Sequence, residues 1–335
     1  MTAIPVMPSL LAIAVAALIS ALITWTARPL LQRYVLSRPN ARSSHTKPTP
    51  QGAGIAVIFA TLAVALGWAA PANVTIPSML VVATIVIALV GFIDDLVSLP
   101  LFTRLLLQAV CVGAVVFTAP GEARIMPALP LVLERCVIVL GGIWFVNLVN
   151  FMDGLDLMTV AEVIPVTATL LLLGLLGKLS WPATLLATAL CGALLGFAPF
   201  NKPVAKVFLG DVGSLPIGLL LGWCLLELAW GGQPAAALLL PAYYLGDSTI
   251  TLFHRIARRE QFWLAHRSHF YQRATDNGFT VPRVVGETFA LNLVLAGLAI
   301  LTVRASSTTV TLLTLLAGAI AVAVMLRRFS RSQAS

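Results

Sequence analysis

The chain has 335 residues, of which 59% are hydrophobic and only 10% charged, with a formal net charge of +8. A soluble domain carries about 25% charged residues, so the composition excludes one and specifies a polytopic membrane protein. The positive charge is no nucleic-acid signal, because it tracks membrane topology.

In chain order, apolar stretches of spanning length lie near 8–26, 53–70, 77–93, 103–118, 132–149, 158–176, 182–199, 214–230, 235–253, 285–303 and 308–326. A transmembrane helix needs about 20 such residues, which predicts an all-α integral membrane bundle of about 11 helices. No basic segment precedes the first stretch and no cleavage site follows it, so it reads as a retained helix. With the N-terminus periplasmic and the C-terminus cytoplasmic, only Arg124, Arg135, Lys178 and Arg304 of the 21 basic residues face outward. An even number of spans spoils that split. The expectation is one catalytic domain over 1–335, with cytoplasmic active-site loops at 27–52, 94–102, 150–157, 200–213 and 254–284. Cys111, Cys136, Cys191 and Cys224 stand singly in apolar runs and read as packing residues.

The acidic residues follow the same geography. Asp94, Asp95, Asp153, Asp156, Asp211, Asp247, Glu260 and Asp276 fall at or near the cytoplasmic face, and Glu122 and Glu134 fall outside. Positive-inside bias explains bases and says little about acids. A cation-dependent site for an anionic substrate accounts for carboxylates gathered among bases.

Four polar clusters carry that reading. Asp94-Asp95 ends an apolar run, and adjacent carboxylates require a cation or a base such as Arg104 to stay ionised. Its bland alternative is a solvated helix end. Asn147, Asn150, Asp153 and Asp156 recur every three residues, which places them on one face of a helical turn. Phe208-Leu-Gly-Asp-Val-Gly-Ser214 sets a carboxylate in a Gly-bounded turn that opens a helix, a place suited to phosphate and Mg²⁺, or simply to an N-cap. His266 and His269 flank Arg267 in a basic loop, which favours an anionic partner or lipid head groups over zinc. The Pro/Gly-rich loop from Arg38 to Gly54, with His45, suits phosphate or lipid-head contact, or topology and turn chemistry alone.

Taken together and in order, from His45 to Gly278, these pieces resemble the polyprenyl-phosphate N-acetylhexosamine-1-phosphate transferases. That superfamily includes phospho-N-acetylmuramoyl-pentapeptide transferase. The matching pieces are the His45 loop, Asp94-Asp95, Arg104 with Gln108, the run from Asn147 to Asp156, Phe200-Asn-Lys-Pro, Phe208 to Ser214, and His266-Arg-Ser-His-Phe-Tyr-Gln272. The resemblance implies attack by a polyprenyl phosphate oxygen on the β-phosphate of a UDP-linked sugar, with UMP leaving and Mg²⁺ (or Mn²⁺) offsetting charge. It implies Asp211, with Asn150, as the metal ligands, and Asp94 as base or nucleophile supported by Asp95. Direct attack and a covalent aspartyl intermediate both stay open.

Asn150, Asp153 and Asn201 are then expected to line the nucleotide and phosphate pocket. Gly154 and Asp156 stand near the uracil, Phe208 stacks on it, and His266 and His269 face the pyrophosphate. Arg104 holds a phosphate where the family often has lysine, and His45, Asn147 and Arg267 complete the substrate contacts. The partners implied are UDP-N-acetylhexosamine, undecaprenyl phosphate and the bilayer of a bacterial inner membrane, with no nucleic acid and a homodimer left open. Leu157 replaces a usual glycine and is expected to narrow the nucleotide pocket. His266-Arg-Ser-His269 departs from the three consecutive histidines of the muramoyl-pentapeptide enzymes, which favours the branch starting O-antigen, capsule or teichoic-type glycans. A transporter is the rival class, but it places charge near the midplane in paired repeats, and neither is seen.

Overall fold

A computed structural model describes residues 6–37, 48–261 and 266–333. Its helices in chain order are α1 (Val6–Tyr34), α2 (Gly54–Ala69), α3 (Ser78–Val97), α4 (Leu101–Phe117), α5 (Leu131–Phe151), α6 (Met158–Leu175) and α7 (Trp181–Phe197). They continue with α8 (Asp211–Trp230), α9 (Pro234–Leu239), α10 (Ala242–Ala257), α11 (Phe270–Asp276), α12 (Val281–Ala305) and α13 (Thr308–Phe329). The sheet among the described residues is one antiparallel ribbon, β1 (Leu36–Ser37) against β2 (Thr49–Pro50), with Leu36 opposite Pro50.

The chain is an all-α polytopic membrane protein. Among the described residues eight helices are long and apolar enough to cross a membrane, and α2 and α4 are shorter apolar helices. Helix stands at every stretch expected to span. The ninth stretch differs from a continuous span, because it breaks into α9 and α10 at Leu240 and Pro241. Proline has no N–H to continue the ladder, and its ring crowds the preceding turn. Pro77, Pro100 and Pro130 sit just before α3, α4 and α5, where a missing N–H leaves no orphan donor.

Helices α6, α7 and α8 form the buried centre, whereas α1 and α13 keep apolar side chains such as Leu18, Trp25, Leu313 and Ile320 exposed, as a lipid-facing surface requires. Because successive helices run in opposite senses, the C-terminal ends of α3, α5, α7, α10 and α13 meet the N-terminal ends of α2, α4, α6, α8 and α12 at one end of the bundle. All four predicted polar clusters lie at that end.

Candidate active site

The site is built around the start of α8. Gly210 sits at φ +77°, a left-handed backbone that glycine adopts without strain, and it turns the chain sharply into the helix. The first amides of α8 would be orphan donors. The Asp95 carboxylate satisfies two of them across 116 residues of chain, accepting from Asp211 N at 3.0 Å and Val212 N at 3.1 Å. Gly91, one turn before Asp95, lets α3 approach this closely, because a side chain there would overlap the Asp211 carbonyl. The loop is pinned from outside as well: Phe208 N donates to Pro50 O, and Gly54 N to Leu209 O, each at 2.8 Å.

Asp94 faces the other way. One oxygen accepts from Leu99 N at 2.6 Å and the other from Arg104 Nη1 at 2.8 Å. The same guanidinium nitrogen stands 3.7 Å from Asp211 Oδ2. Asn150 Nδ2 donates to Asp211 Oδ1 at 2.7 Å and to Ser214 Oγ at 2.9 Å. Asp94 and Asp211 thus share one arginine, with the Asp95 carboxylate beside them. Asp94 is only 9% exposed, but the Asp211 side chain is 28% exposed. The oxygens of Asp94 and Asp95 are already accepting, which leaves Asp211 Oδ2 as the oxygen open to a ligand.

A hard divalent ion fits this arrangement. Excess negative charge favours it, and such ions bind one or two carboxylates with water and substrate phosphates completing the shell. Among the described residues no group of three His, Cys, Asp or Glu forms a ready-made cage. Asp211 would therefore hold the ion, with the Asn150 amide beside it.

The expectation of one face through Asn147, Asn150, Asp153 and Asp156 holds only for the first two. Helix α5 ends at Phe151, so the carboxylates lie in the turn beyond it. Asn147 is buried and donates to Gln108 Oε1 at 2.6 Å. Asp153 accepts from the Thr159 hydroxyl. Burial pushes the Asp153 carboxyl up to about 7, assisted by the nearby charges of Asp95 and Asp156 and opposed by that hydrogen bond. Asp156 accepts from Ala205 N at 2.9 Å, and Asn201 accepts from Leu157 N at 2.7 Å while donating to Val207 O at 3.0 Å. These two side chains lace the turn after α5 to the loop before α8. Leu157 has φ +62°, which explains why glycine suits the position, and its side chain packs against the apolar core.

The histidine cluster adjoins the same helix end. The rings of His266 and His269 stack at 4.8 Å, and Phe151 lies 6.1 Å from His269. Tyr271 donates its hydroxyl proton to Phe151 O at 2.8 Å, and Gly154 leaves the space that this hydroxyl occupies. Arg267 pairs with Asp276 at 3.2 Å and donates to Thr275 Oγ1 at 2.9 Å. His45 lies outside the described residues.

Sequence reading left Asp247 out of the site, although it is wholly buried in α10 and its carboxylate lies 3.2 Å from His269 Nδ1. Its signal was the spacing of Tyr243, Asp247 and Thr251 along one face of α10. Ser214 and Thr159 were also unassigned, being ordinary helix residues until the fold places them beside Asn150 and Asp153.

Comparison with known proteins extends the picture. Residues 77–229 match the family model described as "Glycosyl transferase family 4". The chain is 27% identical over 311 residues to the decaprenyl-phosphate N-acetylglucosaminephosphotransferase of Mycobacterium tuberculosis, covering 81% of this chain and 76% of that one. It is 25% identical over 285 residues to the probable undecaprenyl-phosphate N-acetylglucosaminyl 1-phosphate transferase of Bacillus subtilis, covering 80% and 78%. With the phospho-N-acetylmuramoyl-pentapeptide-transferase of Wolbachia pipientis it shares 30% identity over 202 residues, covering 55% and 61%. The family match runs from α3 to α8, so it holds Asp94, Asp95, Arg104, Asn150 and Asp211 and stops short of Asp247 and His269.

Proposed function

We infer that this chain, matched to glycosyl transferase family 4, is a phosphotransferase that moves an N-acetylhexosamine-1-phosphate from a UDP-sugar to a polyprenyl phosphate. The observation that carries the chemistry is the open Asp211 carboxylate at the start of α8, shared with Arg104 and beside Asp94.

An oxygen of the lipid phosphate forms a bond to the β-phosphorus of the donor. The bond from that phosphorus to the bridging oxygen breaks, and UMP leaves with the oxygen. Such transfers need positioning and charge neutralisation more than covalent help from the protein. Mg²⁺, when bound at Asp211, neutralises the charge that gathers on the transferring phosphates. Arg104 holds a phosphate oxygen while paired to Asp94, and Asp94 takes a proton if the acceptor phosphate still carries one. Asp95 fixes the helix start on which Asp211 rides. Asn150 orients the Asp211 carboxylate, and His266 and His269 meet the donor pyrophosphate.

The lipid acceptor has a place to lie. A cavity of about 380 Å³ runs between α4, α5, α8 and the α9–α10 break, lined by apolar groups including Val112, Phe145, Trp223 and Leu245. Trp144, on its wall, lies less than two turns of α5 from Asn150. The basic residues at the site end of the bundle favour a cytoplasmic position for that end, and the membrane in this reading is a bacterial inner membrane.

A simple N-acetylhexosamine is favoured over a muramoyl-pentapeptide by the His266-Arg-Ser-His269 sequence, and a surface glycan of the O-antigen, capsule or teichoic type is the corresponding product pathway. The test is UMP release by purified protein in liposomes with undecaprenyl phosphate, Mg²⁺ and a panel of UDP-sugars. UMP is expected with UDP-N-acetylhexosamines, in step with a sugar-diphospholipid product. No release with any donor, or equal release without the lipid, sinks the reading.

A further inference from the structure

Asp247 contributes nothing to the surface, yet donors converge on it from every side. Oδ1 accepts from Phe270 N at 3.0 Å and lies 3.2 Å from His269 Nδ1. Oδ2 accepts from Tyr271 N at 3.0 Å and from the Tyr243 hydroxyl at 3.2 Å. Backbone amides can only donate, so the carboxyl serves them as an acceptor on both oxygens. An acceptor facing Nδ1 draws the ring proton to that nitrogen. The tautomer is then set by a residue that never meets the substrate.

The ring is also held in place. His266 stacks on it at 4.8 Å, Tyr271 lies at 5.8 Å and Phe151 at 6.1 Å. Phe151 follows Asn150, which bonds Asp211, so the clamp ties His269 to the helix end that carries the acidic cluster. Among the described residues no hydrogen bond reaches Nε2, the edge that remains.

We propose that Asp247 is a positioning residue for His269, keeping the proton on Nδ1 so that Nε2 is the nitrogen presented to the phosphates of the substrate. The role given to His269 rests on the transferase reading above. The competing explanation is that Asp247 merely caps α11. Capping and positioning separate experimentally, because only positioning acts through His269.

Two measurements decide it. The first is the ¹⁵N spectrum of histidine-labelled protein in nanodiscs at alkaline pH; the chain has only 4 histidines, and His269→Ala identifies the signals. Wild type is expected to show a protonated Nδ1 and a bare Nε2. A protonated Nε2 in wild type overturns the proposal, and this arm needs no Asp247 variant to fold. The second is a double-mutant cycle on UMP release. Asp247→Asn is expected to lower turnover about 100-fold in wild type and less than about 3-fold in His269→Ala. Equal losses in both backgrounds leave Asp247 as a cap and refute positioning. If wild type releases no UMP, the transferase reading fails, and the tautomer spectrum still judges Asp247.

Discussion

Two ends of this bundle each hold buried carboxylates and arginine, and they are built to opposite purposes. At the far end, Glu134 is wholly buried and saturated: it accepts from the Arg124 guanidinium, from Ile125 N at 2.6 Å and from Met126 N at 3.1 Å. Its neighbour Arg135 donates to the carbonyls of Pro120 and Ala123 at 2.7 and 3.0 Å and lies over the Trp230 ring. That cluster folds the loop before α5 back onto its helix. At the near end, Asp94 and Asp211 divide one arginine beside a third carboxylate, Asp95, and the Asp211 side chain stays partly open to solvent. Charge that is internally matched builds structure. Charge left in excess and open at a helix N-terminus builds a site for something that arrives.

The largest predicted effect comes from removing the open charge. Asp211→Asn should lower UMP release by at least about 10³-fold at unchanged expression, because charge neutralisation is the main help phosphoryl transfer receives. Asp94→Asn should cost about 10²-fold, through loss of the Arg104 partner and of a proton acceptor. Arg104→Lys retains the charge and loses the planar guanidinium whose Nη1 stands between Asp94 and Asp211, and a loss of about 10-fold in turnover is expected. Wild-type rates in these variants would erase the contrast between the two ends.

A smaller effect depends on pH. The folded Asp153 carboxyl, at about 7, stands above its ordinary value of 3.8. Between those values the unfolded chain binds fewer protons, so stability falls as pH rises through the window and the loss is complete above about pH 7. Asp153→Asn removes that dependence, and the gain in melting temperature over wild type should widen from about pH 4 to about pH 8. A constant gap across that range would show that the carboxyl is not held high. Smallest on turnover is Glu134→Gln, which should leave UMP release near wild type while destabilising the fold by about 3 kcal/mol, seen as a lower melting temperature.

Much of this contrast was readable from residue order. Apolar lengths located the helices, and the placement of Asp94, Asp95, Asn150 and Asp211 at the ends of alternate spans brought them to one end. Which oxygen does what was not readable. Asp95 looks like the twin of Asp94, but only the packing of α3 on α8, allowed by Gly91, commits it to two amides of another helix. The triplet spacing through Asp156 suggested one face, because a period of three persists in sequence whether or not the helix does. Here the helix stops at Phe151, and Asp156 ties down Ala205 instead. The break at Pro241 hid inside a stretch whose hydrophobicity alone reads as one span. The face through Tyr243, Asp247 and Thr251 was readable, but the pairing of Asp247 with His269 was not, because that partner is 22 residues away, in a loop whose path no local pattern fixes.

The most direct test of the difference between the two ends is cation binding itself. Electron paramagnetic resonance of Mn²⁺ titrated into the purified protein, with UDP-N-acetylglucosamine present, would compare wild type, Asp211→Asn and Glu134→Gln. The account predicts bound Mn²⁺ in wild type and Glu134→Gln and its loss in Asp211→Asn; undiminished binding in Asp211→Asn would contradict it.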